Sequence, residues 1–440
     1  MTGRVFHTSD WHLGRQIGRH SRDTETDAVL DEITEIAADF NPDLIVHSGD
    51  LFDSPRPGLD DIRRAAQALR RLGEIAPVVV VAGNHDTPNV LAFTQFILTD
   101  AGTRPDAQTR VRFATDARPD QLLLAEYPAQ QGELTLRIGA MPYLHPNRFS
   151  YDFTNPALMT ATYAERMRTV QTDIHHRLAQ GRGARDILVF AAHLFVEGTT
   201  PSYSERRISV TDDYAAAPAD LPLVDYGALG HIHKPQAVTR AVFPARYAGS
   251  PLQMDFGESG ETKSVVLAEI GPNTAPRIDT VPLTSGRRLI RLEGTLEEIE
   301  QRAARIGDAW VKVVVSVDEP SPFLASALAK MLPKATLVDI DERRAQTTSP
   351  ALSRETSTTE LPSIEDLLRD YLPGRGTTGR ALDHAMAAFA DLRDDPDLDV
   401  PTPCCEEDLL TAAIAGQPLD GIDHSRLLPG TGTTEAETTR

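Results

Sequence analysis

The chain has 440 residues, too many for one ordinary domain, and 40% are hydrophobic against 25% charged, so it can bury a sizeable core and is not disordered throughout. Its 44 Lys and Arg stand against 64 Asp and Glu, and the net charge of −20 argues against a general basic surface for nucleic acid. It does not exclude an acidic body on which bound cations and a few local arginines present a positive mouth. The two cysteines, Cys404 and Cys405, are adjacent, which rules out a disulfide scaffold and the C-x-x-C spacing of a zinc site. The opening residues, MTGRVFHTSD, show no basic-then-apolar leader. The longest dense apolar run, residues 77–82, is far short of the roughly 20 residues a membrane helix needs. The expectation is a soluble protein of a reducing compartment, the cytoplasm.

In chain order, the Val-, Ile- and Leu-rich runs at 4–7, 43–47, 77–82 and 186–192 read as buried strands. Between them, 24–39 and 60–72 carry apolar residues at helical spacing, for example Val29, Ile33, Ile36 and Ala37. That rhythm predicts an α/β domain with largely parallel pairing. From Ala228 onward shorter strands, including 246–248 and 263–270, predict a second, more antiparallel sheet. A turn-rich seam at 282–286 closes this first domain, 1–285. Residues 286–341 predict a small α+β domain: strand 289–292, helix 296–306, strand 310–317 and helix 322–331. The Thr/Ser-rich stretch 342–362 reads as a linker. Two amphipathic helices, 363–372 and 380–392, follow within 363–400. Their apolar stripes are Ile364, Leu367, Leu368 and Tyr371, then Leu382, Met386 and Phe389. Residues 401–440 read as a largely disordered tail, and no internal repeat is present.

Five short segments place metal-ligand residue types at predicted strand ends: Asp10-Trp11-His12, Gly49-Asp50-Leu51-Phe52-Asp53, Gly83-Asn84-His85-Asp86, His193, and Gly230-His231-Ile232-His233. In extended backbone, residues two apart point the same way, so Asp10 can converge with His12, and His231 with His233. The glycines permit turns or close backbone approaches that a Cβ would obstruct. Strand C-terminal ends line the ligand crevice of an open α/β sheet. Mixed imidazole and carboxylate donors suit Mn, Fe or Zn, whereas an all-oxygen shell suits Mg or Ca. Asp10, His12, Asp50, Asn84, His193, His231 and His233 are too many for one four-ligand zinc site and natural for two ions sharing a carboxylate, with Asp50 the best bridge. Each segment alone is weak, because Asn, His and Gly are ordinary turn residues and a strand-end Asp is often a helix cap. All five in this order are a strong signal.

The order D-x-H, GD, GNHD, H, GHxH resembles that of the calcineurin-like metallophosphoesterases. Within them, GDLFDSPRP at 49–57 and GHIHKPQ at 230–236 resemble the bacterial double-strand-break nuclease branch, over roughly residues 1–400. The resemblance implies a four-layer αββα sandwich of two mixed sheets, with the small domain as a cap and the C-terminal helix pair as a docking element. It assigns one ion to Asp10, His12, Asp50 and His233, the other to Asp50, Asn84, His193 and His231, and the catalytic role to His85. It further implies manganese as the cofactor (with magnesium, iron or zinc as alternatives), DNA as substrate, a coiled-coil ATPase as partner, and a homodimer within a heterotetramer, with no membrane. The implied activity is ATP-dependent exonuclease action on duplex ends and endonuclease action on single strands and hairpins. ATP would sit on the partner, since the chain has no G-x-x-x-x-G-K-[ST] loop.

Several residues stay open at this stage. Asp86 either orients His85 or caps the next turn. Arg15, Arg19, Arg22 and Arg56 either contact phosphates or are solvated surface residues. His7, His47, His145, His175 and His176 read as packing or surface residues, and Lys234 could be either. The competing functions are a phosphatase or phosphodiesterase acting on a small phosphoester, and a silent scaffold that recruits an ATPase. Phosphoprotein phosphatases typically carry GD-x-x-DRG and GNHE, where this chain has GDLFDSP and GNHD.

Overall fold

The computed structural model describes residues 2–344 except 99–109, 131–132, 146–155, 203, 206–214, 273 and 318–322, together with scattered positions from 368 to 389. The chain divides into two units, Met1–Thr348 and Ser349–Arg440. The expected linker, 342–362, starts too early, because residues 342–344 are the end of a strand, Thr336–Arg344; the rest of it, the helix pair and the tail lie outside the described residues, apart from isolated positions of helical backbone such as Leu368, Leu382 and Met386.

In the first unit, β1 (Gly3–Thr8), β4 (Leu44–His47), β5 (Val78–Val81) and β6 (Val111–Ala114) run parallel. On the free edge of β1, β13 (Ser264–Ile270) and β14 (Arg277–Pro282) add in antiparallel fashion, giving the order β14-β13-β1-β4-β5-β6. The second sheet contains β7 (Leu123–Pro128), β8 (Thr135–Met141), β9 (Asp186–His193), β10 (Tyr226–Gly230), β11 (Gln236–Ala237) and β12 (Ala245–Tyr247). Its order is β11-β12-β10-β9-β8-β7, parallel in the middle and antiparallel at each edge. A short hairpin, β2 (Gln16–Ile17) with β3 (His20–Ser21), stands apart.

Three packed cores make these sheets a four-layer sandwich. Val5, Val46, Val79 and Val81 of one sheet meet Ile138, Val189 and Ala228 of the other. Outside the first sheet lie α1 (Asp23–Phe40), α2 (Leu59–Ile75) and α3 (Pro88–Leu98). Helix α1 packs through Val29, Leu30, Ile33 and Ala37, one face at helical spacing. It stops at Asn41, whose left-handed backbone (φ 48°) returns its N–H to the Ala37 carbonyl at 2.9 Å. Outside the second sheet lies α4 (Pro156–Ala179), packed through Val170, Ile174 and Leu178. Because both faces of the central strands are covered, they read as unbroken apolar runs.

A separate three-stranded parallel sheet follows: β15 (Leu289–Gly294), β16 (Trp310–Val317) and β17 (Thr336–Arg344). With α5 (Leu296–Ala303) and α6 (Leu324–Met331) it has its own core, including Leu292, Ile299, Val313 and Leu328. Thr295 and Glu298 close a reciprocal capping box at the start of α5.

The second sheet differs from expectation in one respect. The strands after Ala228 do not form a sheet of their own: β10 and β12 extend the parallel core of the second sheet, whereas β13 and β14 cross to the first. Short strands between turns suggest antiparallel pairing, but their partners are set by which buried edge is open. Strands β6, β7, β8, β14 and β17 and helices α3 and α4 add to the elements expected from the sequence. Among the described residues no helix is long and apolar enough to cross a membrane.

Candidate metal centre

Each ligand-type segment leaves the C-terminal end of a buried strand: Asp10 after β1, Asp50 after β4, Asn84 after β5, His193 at the end of β9 and His231 after β10. Since β1, β4 and β5 are parallel neighbours in one sheet and β9 and β10 in the other, their ends gather at one rim. The backbone there is strained. Asp10 (φ 52°), His12 (φ 45°), Asp50 (φ 52°) and His231 (φ 100°) are left-handed, and among the described residues the other non-glycine in this state is the helix-ending Asn41. Such positions cost about 1–3 kcal/mol each and persist where surrounding bonds impose them. Here the Asp10 N–H donates to Gly49 O (2.9 Å), the His12 N–H to Asp50 O (3.1 Å) and the His231 N–H to Asp10 Oδ1 (3.1 Å).

Two glycines make the convergence sterically feasible. A Cβ on Gly49 (φ 119°) would stand 2.0 Å from His193 Nδ1, and one on Gly83 would stand 2.1 Å from Asp50 Oδ1. All eight residues singled out from the sequence therefore meet. Asp10, His12, Asp50 and His233 bring one donor atom each within 4.8 Å of the others, as do Asp50, His193 and His231. Asp50 belongs to both groups, with Oδ2 at 3.6 Å from His12 Nε2 and 3.4 Å from His193 Nε2. Asn84 joins the second group through Oδ1, 3.0 Å from His193 Nε2 and 2.9 Å from His231 Nδ1. His85 donates its backbone N–H to Asp50 Oδ1 (2.9 Å) and packs edge-on against His12 at 4.8 Å between ring centroids.

The donor set fits divalent cations. His193 Nδ1 lies 3.0 Å from the Ser48 carbonyl, which can only accept, so this nitrogen carries the hydrogen and Nε2 turns its lone pair inward. His12 Nε2 faces His233 Nε2 at 3.0 Å, and His193 Nε2 faces His231 Nδ1 at 3.2 Å. Between each pair of facing ring nitrogens a proton or a cation must sit. The electrostatics agree. Burial lowers an imidazole pKa, yet the Asp50 and Asp10 carboxylates raise His193 to about 9, and Asp53 and Asp50 raise His12. Burial would raise Asp50, but the imidazoles of His193, His85 and His12 hold it well below the usual carboxylate range. The negative field that favours protons here favours divalent cations equally.

Neighbouring residues settle several open questions. His85 Nδ1 donates to the Asp53 carbonyl at 2.6 Å, so Asp86 is not its orienting partner. Asp86 accepts the backbone N–H groups of Gly83 (2.9 Å), Leu51 (3.1 Å) and Phe52 (3.1 Å), tying two ligand loops together. Burial and the adjacent Asp50 charge push it up to about 6. Arg22 is withdrawn from any phosphate role: it is buried, paired with Glu25 at 2.6 Å and bonded to the Gln253 carbonyl. Arg19 and Arg56 are exposed, and Arg15 lies 3.4 Å from Asp53. His7 and His47 are fully buried packing residues, lowered to about 3 by burial and cationic neighbours. The sequence reading misses Asp53 as a partner of His12 (3.3 Å), although it lies inside the GDLFD segment. It also misses Ser204, Glu258 and Lys263 behind His233, which no motif marks.

Fold and centre together define a phosphoesterase of the calcineurin-like class, a metal-dependent hydrolase, and residues 3–235 match the calcineurin-like phosphoesterase family. Residues 285–373 match a second family, described as the type 5 capsule protein repressor C-terminal domain. The chain is 32% identical over 326 residues to the SbcD subunit of the nuclease SbcCD from Bacillus subtilis (strain 168), covering 71% of this chain and 79% of that one. It is 26% identical over 387 residues to the SbcD subunit from Escherichia coli (strain K12), covering 84% and 92%. Within the phosphoesterase class, the chain belongs to the SbcD family.

Proposed function

We propose that this chain is the nuclease subunit of an SbcCD-type complex and hydrolyses DNA phosphodiesters with two divalent ions, manganese being the expected native metal. The observation that carries this reading is the convergence of seven donor side chains into two groups that share Asp50. In it, Asp10, His12, Asp50 and His233 hold one ion, and Asp50, Asn84, His193 and His231 the other. When bound, such a pair would supply an activated water and offset the negative charge of the phosphate. His85 keeps one proton on Nδ1 through the Asp53 carbonyl, so in the imidazolium form the second proton sits on Nε2, and its transfer to the departing sugar oxygen leaves the ring neutral with its hydrogen on Nδ1.

DNA is proposed to approach over a cleft of about 1190 Å³ whose lining sets Arg15, Arg19, Arg291, Arg302 and Lys312 against Asp255, Glu293 and Asp339, an excess of cations on an acidic protein even though Lys312 pairs with Asp339 and Arg291 with Glu293. Residues 1–285 form the nuclease domain and 286–344, to the end of β17, the cap. Residues 345–362 link these to the 363–400 helix pair, on which an SbcC-like coiled-coil ATPase docks. The expected activities are ATP-dependent exonuclease action on duplex ends and endonuclease action on single strands and hairpins, in the nucleoid. A homodimer is supported by Leu59, Phe93 and Phe96, 82%, 48% and 62% exposed on the adjacent helices α2 and α3, an apolar face that a second copy would cover.

The test is cleavage of linear duplex, hairpin and single-stranded DNA in manganese, with and without the ATPase partner and ATP, beside p-nitrophenyl phosphate esters. All three DNAs should be cut, the duplex in an ATP-dependent manner. Light scattering should give twice the chain mass, and Phe96→Glu should give the monomer. Rapid ester hydrolysis without DNA cleavage would instead support a phosphodiesterase or phosphatase of small phosphoesters.

A further inference from the structure

Behind His233 lies a buried ionic cluster that phosphate hydrolysis does not itself require. Glu258 is 0% exposed and Lys263 5%. Lys263 Nζ lies 2.6 Å from Glu258 Oε2, and it also donates to Glu261 Oε2 (2.9 Å) and to the carbonyl of His233 (2.9 Å). Glu258 Oε2 accepts the Met254 N–H at 2.9 Å. The other oxygen, Oε1, is hydrogen-bonded to Ser204 Oγ and lies 3.4 Å from His233 Nδ1. Ser204 Oγ in turn lies 2.6 Å from His233 Nδ1, and the His233 N–H donates to Glu205 Oε1 at 2.9 Å.

Donor counting fixes the direction of each bond. Glu258 faces the Lys263 ammonium at 2.6 Å and takes the Met254 N–H, the surroundings of a carboxylate that can only accept. The single hydroxyl proton of Ser204 therefore goes to Glu258, and the Ser204 oxygen accepts from His233 Nδ1–H. With its hydrogen on Nδ1, the ring presents the Nε2 lone pair to the centre, 3.0 Å from His12 Nε2. A stability role explains this arrangement poorly, because a buried ion pair is often no more stabilising than apolar residues of the same volume.

We propose that Glu258, acting through Ser204 and anchored by Lys263, is a positioning residue that fixes the tautomer and ring orientation of His233 and so sets the affinity of the ion held by His12 and His233. This rests on the two-ion reading above. Carboxylates that orient a metal-bound histidine through its outer nitrogen typically change metal affinity 10–100-fold.

The test titrates the metal-free full-length chain with Mn2+, following free Mn2+ by electron paramagnetic resonance, and records the metal-free melting temperature in parallel. Glu258→Gln should weaken one of the two ions by roughly 10–100-fold and leave the other unchanged. Ser204→Ala breaks the relay without touching the ion pair and should weaken the same ion. If both variants take up two ions with wild-type affinity, the proposal is overturned, whatever happens to the melting temperature. A wild-type chain that binds no second ion would contradict the two-ion reading itself, and this inference with it.

Discussion

Asp50 lies 3.6 Å from His12 and 3.4 Å from His193, and its other oxygen accepts the His85 N–H, so one carboxylate touches both halves of the centre and the proposed acid. His85 stands differently. Its Nδ1 is bonded to the Asp53 carbonyl, and it contributes no atom to the two Asp50-centred groups, so removing its ring leaves those donors in place. His85→Ala should keep both ions and lose about 10²–10⁴-fold in DNA cleavage, the range typical of general acid–base catalysis. Manganese content and cleavage rate measured on one preparation check this; wild-type cleavage by the variant would remove His85 from the mechanism. At this scale the sequence is most legible where chemistry forces residue type. Donors at strand ends are visible as D-x-H or GNHD because their identity and their backbone position are both constrained. Ser204 and Glu258 are not visible, because a residue that orients a ligand needs only an acceptor at the right point in space, and many positions in the chain can supply one.

At the scale of elements, the seam after β14 is held to α1 by one side chain. Glu32 accepts the N–H groups of Thr284 (2.9 Å) and Ser285 (2.9 Å) and the Thr284 hydroxyl (2.8 Å). Although burial would raise it, these bonds lower the Glu32 pKa. A folded-state pKa below the unfolded one means that the stabilisation is present above the ordinary glutamate range and is lost as pH falls through the lowered value. Glu32→Gln should therefore be less stable than wild type at neutral pH, with the difference shrinking in acid; urea unfolding at the two pH values measures it, and a pH-independent difference would contradict the assignment. Nearby, Glu25 accepts from Trp310 Nε1 at 2.8 Å and from the Arg287 N–H at 3.2 Å, so α1 also anchors the small sheet. The legible elements are those buried on both faces or amphipathic at one clear period. The runs at β4 and β5 are readable nearly to the residue, and α1 likewise. Strand β8 begins Thr-Leu-Arg and contains Gly139, and β17 alternates apolar and acidic residues, so neither forms the dense run that marks a central strand.

For the whole molecule, the α/β class is legible from the strand–helix rhythm and the sandwich from the resemblance, but the distribution of late strands is not. Strand β13 pairs with β1 across more than 250 residues of chain, with Val5 opposite Ala268. Nothing local in the 264–270 run distinguishes that edge from an edge of the second sheet. The consequence for function is direct: the two sheets stand back to back, and their strand ends deliver donors from residues 10 to 233 to one rim. The central claim is that this rim holds two divalent cations sharing Asp50. It is tested most directly by counting manganese per chain, by elemental analysis after metal loading, in wild type and in Asp50→Ala. Two ions in wild type and a large loss of both in the variant are predicted. A wild-type chain that retains none, or an Asp50→Ala chain that keeps both, would contradict it.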